Sequence, residues 1–498
     1  MERTHRTVHW FRKGLRLHDN EALYHAVTTS QVVFPIYIVD VSWQKEKEKF
    51  SAIKTRFLID CLKDLDEGLK KCGTRLYVLT GDATQVIKKF CKENEITQMT
   101  WMKDAEIFYR ERDEEITKVV HRMEIKTKSF LGHTLYDPDE VIAKNGGKIP
   151  LTMEEFYETI NDMEQPGAPC PTVTAKHFKN CLPRAVENHD SLYGIPKIAA
   201  WGHSAPRSLT IYKGGERQAL KVLKAKMADS TLFTLNGFNQ GVKTKLPHTT
   251  YLSPYQNYGC ISTRFFWKSA EKLPAEKTII LRGQMIYREF FYVAASQVNN
   301  FTKMTGNRIC RQIDWYENAD HLKAWKEGKT GLKNGPKFSP VSLVMRQLVT
   351  EGFIHHINRW AVASFLTNGQ LWLNWEHGQQ MFEEHQIDGD YAMNAGCWMW
   401  CTGSAFKEKI SESTLDPVKF ARRWDPEGHF TRKYCPELKN MPLKYLFCPW
   451  EAPENTQRHA RVQVGIDYPA PIVDYKKTRS QNLEQIRKIN LSESISAQ

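Results

Sequence analysis

"VVFPIYIVD" (residues 32–40) is a run dominated by β-branched and aromatic side chains. It is apolar throughout rather than alternating, which fits a strand covered on both faces. Three shorter runs share its character: "TVHWF" (7–11), "RLYVLTG" (75–81) and "ITQMTWM" (96–102). Between them lie longer stretches with helical spacing of apolar residues, such as 51–71 and 84–95. Strand, helix, strand, helix predicts an α/β domain, a doubly wound parallel sheet with helices on both faces.

Outward from this region the texture changes. Residues 140–230 carry "KNGGKIP", "EQPGAPCP" and "YGIPKIAAWGHSAP", rich in Gly and Pro, as expected of a long connection. Beyond 230 strand signals nearly vanish, and helical patterns cover 276–298, 340–368 and 376–387. Near the end, "NLEQIRKI" spaces Leu483, Ile486 and Ile489 as an amphipathic helix does. The expected organisation is an α/β domain over 1–135, a connecting segment over 136–230, a mostly α-helical domain over 231–470 and a short C-terminal helix or tail over 471–498.

The chain has 498 residues, 41% hydrophobic and 26% charged, enough to bury a large core without covalent staples. Its net charge of +13 favours anionic partners such as nucleic acid, and is equally met by a basic but inert surface. The 11 Cys form no Cys-x-x-Cys pair, so reduced thiols in cytosol or nucleus are expected. The start, "MERTHRTVHW", is too polar for a signal peptide, and the longest apolar run is too short to span a bilayer. Zinc-ligand spacing, a phosphate-binding Gly-x-x-x-x-Gly-Lys loop and a Gly-x-Ser-x-Gly elbow are all missing from the sequence, so no metal, P-loop or hydrolase chemistry is expected.

The densest chemistry lies in "DGDYAMNAGCWMW" (388–400) and just before it. Five of the 14 Trp fall within 360–400: Trp360, Trp372, Trp375, Trp398 and Trp400. Helical spacing pairs Asn394 with Trp398, Trp372 with Trp375, and His356 with Trp360. Asp388 and Asp390 precede the helix carrying Asn394, at its positive end, where Arg359 could neutralise one of them. Aromatic packing alone explains most such clusters. Two acids and an amide amid apolar rings are costly to bury, however, unless they bind something. In "TTYLSPYQNYGC" (249–260), Thr249, Thr250 and Ser253 stand before a helical stretch; they could hold phosphate oxygens, or Ser253 could simply cap the helix. "GQMIYREFF" (283–291) aligns Gln284, Tyr287 and Arg288 on one helical face, ordinarily a solvated one.

Together these segments resemble the photolyase/cryptochrome family, most closely its animal-type cryptochrome and (6-4) photolyase branch. The resemblance runs in order through "HWFRKGLRLHDNEAL" (9–23), "GHTLYDPDEVIAKNGGKIPLT" (132–152), "LSPYQNYGCIS" (252–262), "EGFIHHINRWAVASFLTNGQLWLNWEHG" (351–378), "IDGDYAMNAGCWMW" (387–400) and "RRWDPEGHFTRKYCPEL" (422–438). It implies an N-terminal α/β domain and a helical domain holding FAD, with an antenna chromophore left open. By position, Thr249, Thr250, Leu252 and Ser253 correspond to a phosphate cradle. Gln284, Arg288, His356 and Arg359 correspond to contacts along the cofactor, Asp388 and Asp390 to the pair facing the ribityl chain and ring edge, and Asn394 to the residue beside flavin N5. Trp398, Trp375 and Trp315 match the family's electron-transfer chain, with Trp372 as a fourth member.

The departures bear on function. (6-4) photolyases have a second His where this chain has Trp360, which weakens the proton-transfer apparatus of repair. Tyr287 replaces a usual Trp, Ser342 a usual Asp, and "TGLKNGPKFSPVSLVMRQL" (330–348) carries about six extra residues, at 332–337. Asn394 is the choice of repair enzymes, where insect-type photoreceptors have Cys. The resemblance implies a flavin-based blue-light photoreceptor with signalling or clock protein partners, in nucleus and cytoplasm. Whether it is also an enzyme stays open. The alternatives are a (6-4) photolyase acting on DNA and a light-independent clock repressor.

Overall fold

The computed structural model describes residues 3–40, 50–204, 211–229, 249–330, 332–333, 340–412, 415–468 and 472–496. Of the insertion expected at 332–337, residues 334–337 lie outside that set. The chain divides into two compact units. One comprises Met1–Phe233, Thr249–Asn299 and Ile387–Met393, the other Thr234–His248, Asn300–Gln386 and Asn394–Gln498.

The first unit is built on five parallel strands, β1 (His5–Phe11), β2 (Ser30–Asp40), β3 (Tyr77–Gly81), β4 (Gln98–Met102) and β5 (Lys126–Phe130), in the order β3-β2-β1-β4-β5. Chain order reverses direction on either side of β1, as in a doubly wound sheet. Val8, Trp10, Phe34, Ile36, Tyr77, Met99 and Trp101 form a core with Ile87, Phe90, Ile116 and Val120 from the flanking helices. Both faces are covered, which is why the strand sequences do not alternate. The intervening helices begin at capping residues: Asn20 accepts from Leu23 N at 2.9 Å, Asp82 from Gln85 N at 3.0 Å and Ser51 from Lys54 N at 3.3 Å. β5, "KTKSF", has no apolar run to announce it, because an edge strand is best kept polar. The connecting stretch holds short helices, including Pro138–Lys144, Met153–Asn161 and Glu216–Met227. The helix Ala275–Ala295 completes this unit's contribution to the site.

The second unit is helical. Its principal helices are Pro340–Glu351, His356–Leu366, Trp375–His385 and the C-terminal Tyr475–Ser496, and the helix Tyr391–Thr402 runs on into it from the first unit. The single pattern expected over 340–368 is two helices, interrupted where Gly352 adopts φ +72°. Ser342 is fully buried, and its Oγ accepts a hydrogen bond from Thr330 N at 3.0 Å. β6 (Leu332–Lys333) and β7 (Val473–Asp474) form a two-stranded pairing. No described helix is long and apolar enough to cross a membrane.

Candidate functional site

In the first unit the helix Ser253–Asn257 starts without a side-chain cap; Pro254 has no N–H, so the donors at its start are the amides of Ser253 and Tyr255. Ser253 does not cap it: its Oγ donates to Asp388 Oδ2 at 2.7 Å. That sets aside the simple capping reading and joins the Thr249–Ser253 stretch to the two-acid loop. The loop is fixed by its carbonyls, with Lys54 Nζ 3.3 Å from Gly389 O and Asn257 Nδ2 donating to Ile387 O and Gly389 O at 3.3 and 3.4 Å. Leu252 is fully buried, whereas Thr249 and Thr250 are half-buried.

Asp390 does stand at a helix start, accepting from Met393 N at 3.0 Å. Its other oxygen accepts from Tyr292 Oη. Burial alone would raise its pKa, but the nearby His133 and the charges of Lys13 and Arg288 hold it well below the usual carboxylate range. Arg288 is buried, not solvated: it donates to Glu289 Oε1 at 2.9 Å and lies 2.8 Å from His133 Nε2. Gln284, one turn earlier, is exposed, and Tyr287 packs edge-on against Phe291 at 4.7 Å. The one helical face read from sequence is therefore split between solvent and interior.

In the second unit, Asn394 is buried and its Nδ2 donates to Gln379 O at 2.9 Å. One turn on, the ring of Trp398 lies on Gly378, where an added Cβ would come within 2.1 Å of it. Phe382 and Trp325 meet the Trp398 ring edge-on at 5.0 and 6.3 Å. The Trp398 indole N–H has no hydrogen-bond partner among the described residues. Trp375 is fully buried beside Cys310, whose thiol is pushed up to about 12 by burial, against a lowering contact from Trp375. Such a thiol stays protonated and apolar.

Trp315 and Trp372 lie 5.2 Å apart. Trp372 is buried, holds φ +52°, and donates its indole N–H to Asp314 O at 2.9 Å. A left-handed backbone at a tryptophan costs about 1–2 kcal/mol, so its surroundings must fix it there. They include Ile313, Ile410 and, from the C-terminal helix, Ile486, with Leu483 and Ile489 alongside. The aromatic cluster thus divides: Trp372, Trp375 and Trp398 are interior, whereas Trp360 is exposed and Trp400 half-buried near Lys407. His356 is exposed, its ring 4.1 Å from that of His355, and Arg359 donates to Ile354 O at 3.0 Å. Trp325, His133, Tyr292 and Lys13 escaped the sequence reading, being single residues far from the motif in the chain.

Each unit offers donors of the kind FAD takes. In the first, hydroxyls at Thr249, Thr250 and Ser253 suit a diphosphate, and the carboxylates Asp388 and Asp390 suit a polyol; in the second, the Asn394 amide suits a heteroaromatic edge. Residues 280–488 match the family described as the FAD binding domain of DNA photolyase, and residues 7–173 match DNA photolyase. Cryptochrome-2 of Gallus gallus is 38% identical over 497 residues, which cover 97% of this chain and 83% of that protein. Cryptochrome-1 of Mus musculus is 38% identical over 490 residues, covering 97% and 80%. Among solved structures, a Synechocystis cryptochrome aligns with TM-score 0.83 at 25% identity, covering 98% of this chain and 100% of that one. A class III photolyase from Agrobacterium tumefaciens aligns with TM-score 0.82 at 25% identity, covering 98% of each. With its parallel-sheet domain and its helical FAD-binding domain, this chain belongs to the photolyase/cryptochrome family.

Proposed function

We propose that the protein is a blue-light photoreceptor in which electron loss from a tryptophan chain is converted into release of the C-terminal helix. The observation that carries this reading is the packing of Ile486 in one apolar cluster with Trp372 and Trp315. Bound FAD supplies the absorption of blue light and an excited state that takes an electron. Trp398, in a dry interior, would be the donor nearest that acceptor, and Asn394, one turn before it, would hold the flavin edge by hydrogen bonding. The positive hole passes outward through Trp375 to the pair Trp315 and Trp372, where two rings 5.2 Å apart share it. Cys310 stays a neutral thiol and does not compete as a donor. The Asp314 carbonyl, already accepting from the Trp372 indole, favours positive charge on that ring.

A positive charge in a cluster of isoleucines is poorly solvated. The helix Tyr475–Ser496 therefore docks less favourably on the oxidised pair than on the neutral one, the differential contact a switch requires. Asn490 clamps it by a reciprocal pair of hydrogen bonds to Ile410, at 2.9 and 3.0 Å. A signalling or clock protein in nucleus or cytoplasm then reads the released helix. Hydrogen exchange of residues 475–496, dark and blue-lit, tests this. Exchange that accelerates in light in the wild type but not in Trp398→Phe supports the reading, and light-independent exchange refutes it.

The +13 net charge favours a second reading, repair of damaged DNA, since phosphate neutralisation governs non-specific affinity. Trp360, where repair enzymes keep a second His, weighs against it. Illumination with a UV-damaged oligonucleotide separates the two: restored bases mean repair.

A further inference from the structure

We propose that His133 and Tyr292 form a proton path from a cavity beside the parallel sheet to Asp390. The cavity, about 510 Å³, sits at the carboxyl ends of β4 and β5. Its lining runs from exposed Glu114 and Asp139 to buried Asp104 and His133, so it leads from the surface inward. It is polar and roomy enough for several waters. His133 Nε2 lies 2.6 Å from Tyr292 Oη, and Tyr292 Oη donates to Asp390 Oδ2. Three elements that no local motif connects are thus joined by two hydrogen bonds.

The junction at His133 holds two competing proton arrangements. While Tyr292 donates to Asp390, its oxygen can only accept from His133, which requires a proton on Nε2. Arg288 Nη2 is 2.8 Å from the same nitrogen, and a guanidinium has no lone pair to offer, so it is served only when Nε2 is bare. The two demands cannot be met together. A proton from solvent arriving on Nδ1 resolves the conflict: Nε2 passes its proton to Tyr292 Oη as Oη passes its own to Asp390 Oδ2. Asp390 ends neutral, Tyr292 is a phenol again, and His133 is the Nδ1–H tautomer with Nε2 bare for Arg288. One proton has moved from solvent to the carboxyl, and no electron has moved.

The surrounding charges decide when this happens. Arg12, Lys13, Asp104 and Glu106 face the cluster from the segments after β1 and β4; Arg288 and Glu289 face it from the helix Ala275–Ala295. In the dark Lys13 and Arg288 hold Asp390 ionised, and His133 is lowered to about 4 by burial, then by Arg288. The path is therefore at rest. Negative charge appearing beside Asp390 raises its proton affinity and draws the proton in. This inference rests on the proposed function, in which bound FAD takes up an electron in the light.

The test uses the full chain with FAD in unbuffered solution containing a pH-indicator dye, recorded after a blue flash. The wild type takes up a proton after the flavin band bleaches. In Tyr292→Phe and His133→Gln the uptake slows by about 100-fold relative to the bleaching of the flavin band in the same sample. Imidazole added to His133→Ala speeds uptake again through the cavity. In the dark, the ¹⁵N shifts of His133 show Nε2 protonated in the wild type and bare in Tyr292→Phe. Wild-type uptake rates in Tyr292→Phe overturn the path. A wild type that retains no FAD instead overturns the function on which it rests.

Discussion

Gly378 shows how closely single residues are set around the tryptophans. An added Cβ would lie 2.1 Å from the Trp398 ring, less than any van der Waals contact allows. Gly378→Ala should cost about 1–3 kcal/mol by overpacking, read as a lowered Tm, and should displace Trp398, read as slower photoreduction. His133 makes a second residue-scale prediction. Its pKa in the folded chain, about 4, is below the 6.5 of an unfolded one. The unfolded state therefore binds more protons between those values, and stability is lost as pH falls from 6.5 toward 4. Thermal unfolding across that window should show a shallower loss in His133→Gln than in the wild type. None of this was legible from residue order. His133 and Tyr292 are isolated polar letters far from Asp390 in the chain, and only the fold joins them to it by hydrogen bonds. Asp390, Asn394 and Trp398 stand out in the sequence because one short motif sets acids, an amide and large rings side by side.

At the scale of elements, β1 to β4 announced themselves by apolar runs that pack into the core of the first unit. β5 did not: its residues are exposed or half-buried, so nothing requires them to be apolar. Apolar periodicity over 340–368 survives the interruption at Gly352, so the sequence pattern predicts one helix where the positive φ at Gly352 separates two. The C-terminal helix was read from Leu483, Ile486 and Ile489, but what that stripe covers was not: it lies on Trp372 and Trp315. Ile486→Asp places a carboxylate in that apolar cluster and should undock the helix in the dark. Iodide quenching of tryptophan fluorescence measures it, and an increase over the wild type is expected. Unchanged quenching would mean that the helix does not seal the pair.

The whole molecule comprises a doubly wound sheet unit and a helical unit. A chain of this charge should bind nucleic acid weakly and non-specifically. Affinity for undamaged duplex should fall steeply as salt rises from 50 to 200 mM, by about 10³-fold or more if six or more phosphates are neutralised. A shallow salt slope would mark the basic surface as inert. The central claim, that light draws electrons from the interior tryptophans, is tested most directly by the flavin absorption of purified protein under blue light, wild type beside Trp398→Phe. The account predicts that the wild type bleaches within the illumination while the variant bleaches at least about 100-fold more slowly, the loss of one essential donor. Equal bleaching in the two proteins would contradict it.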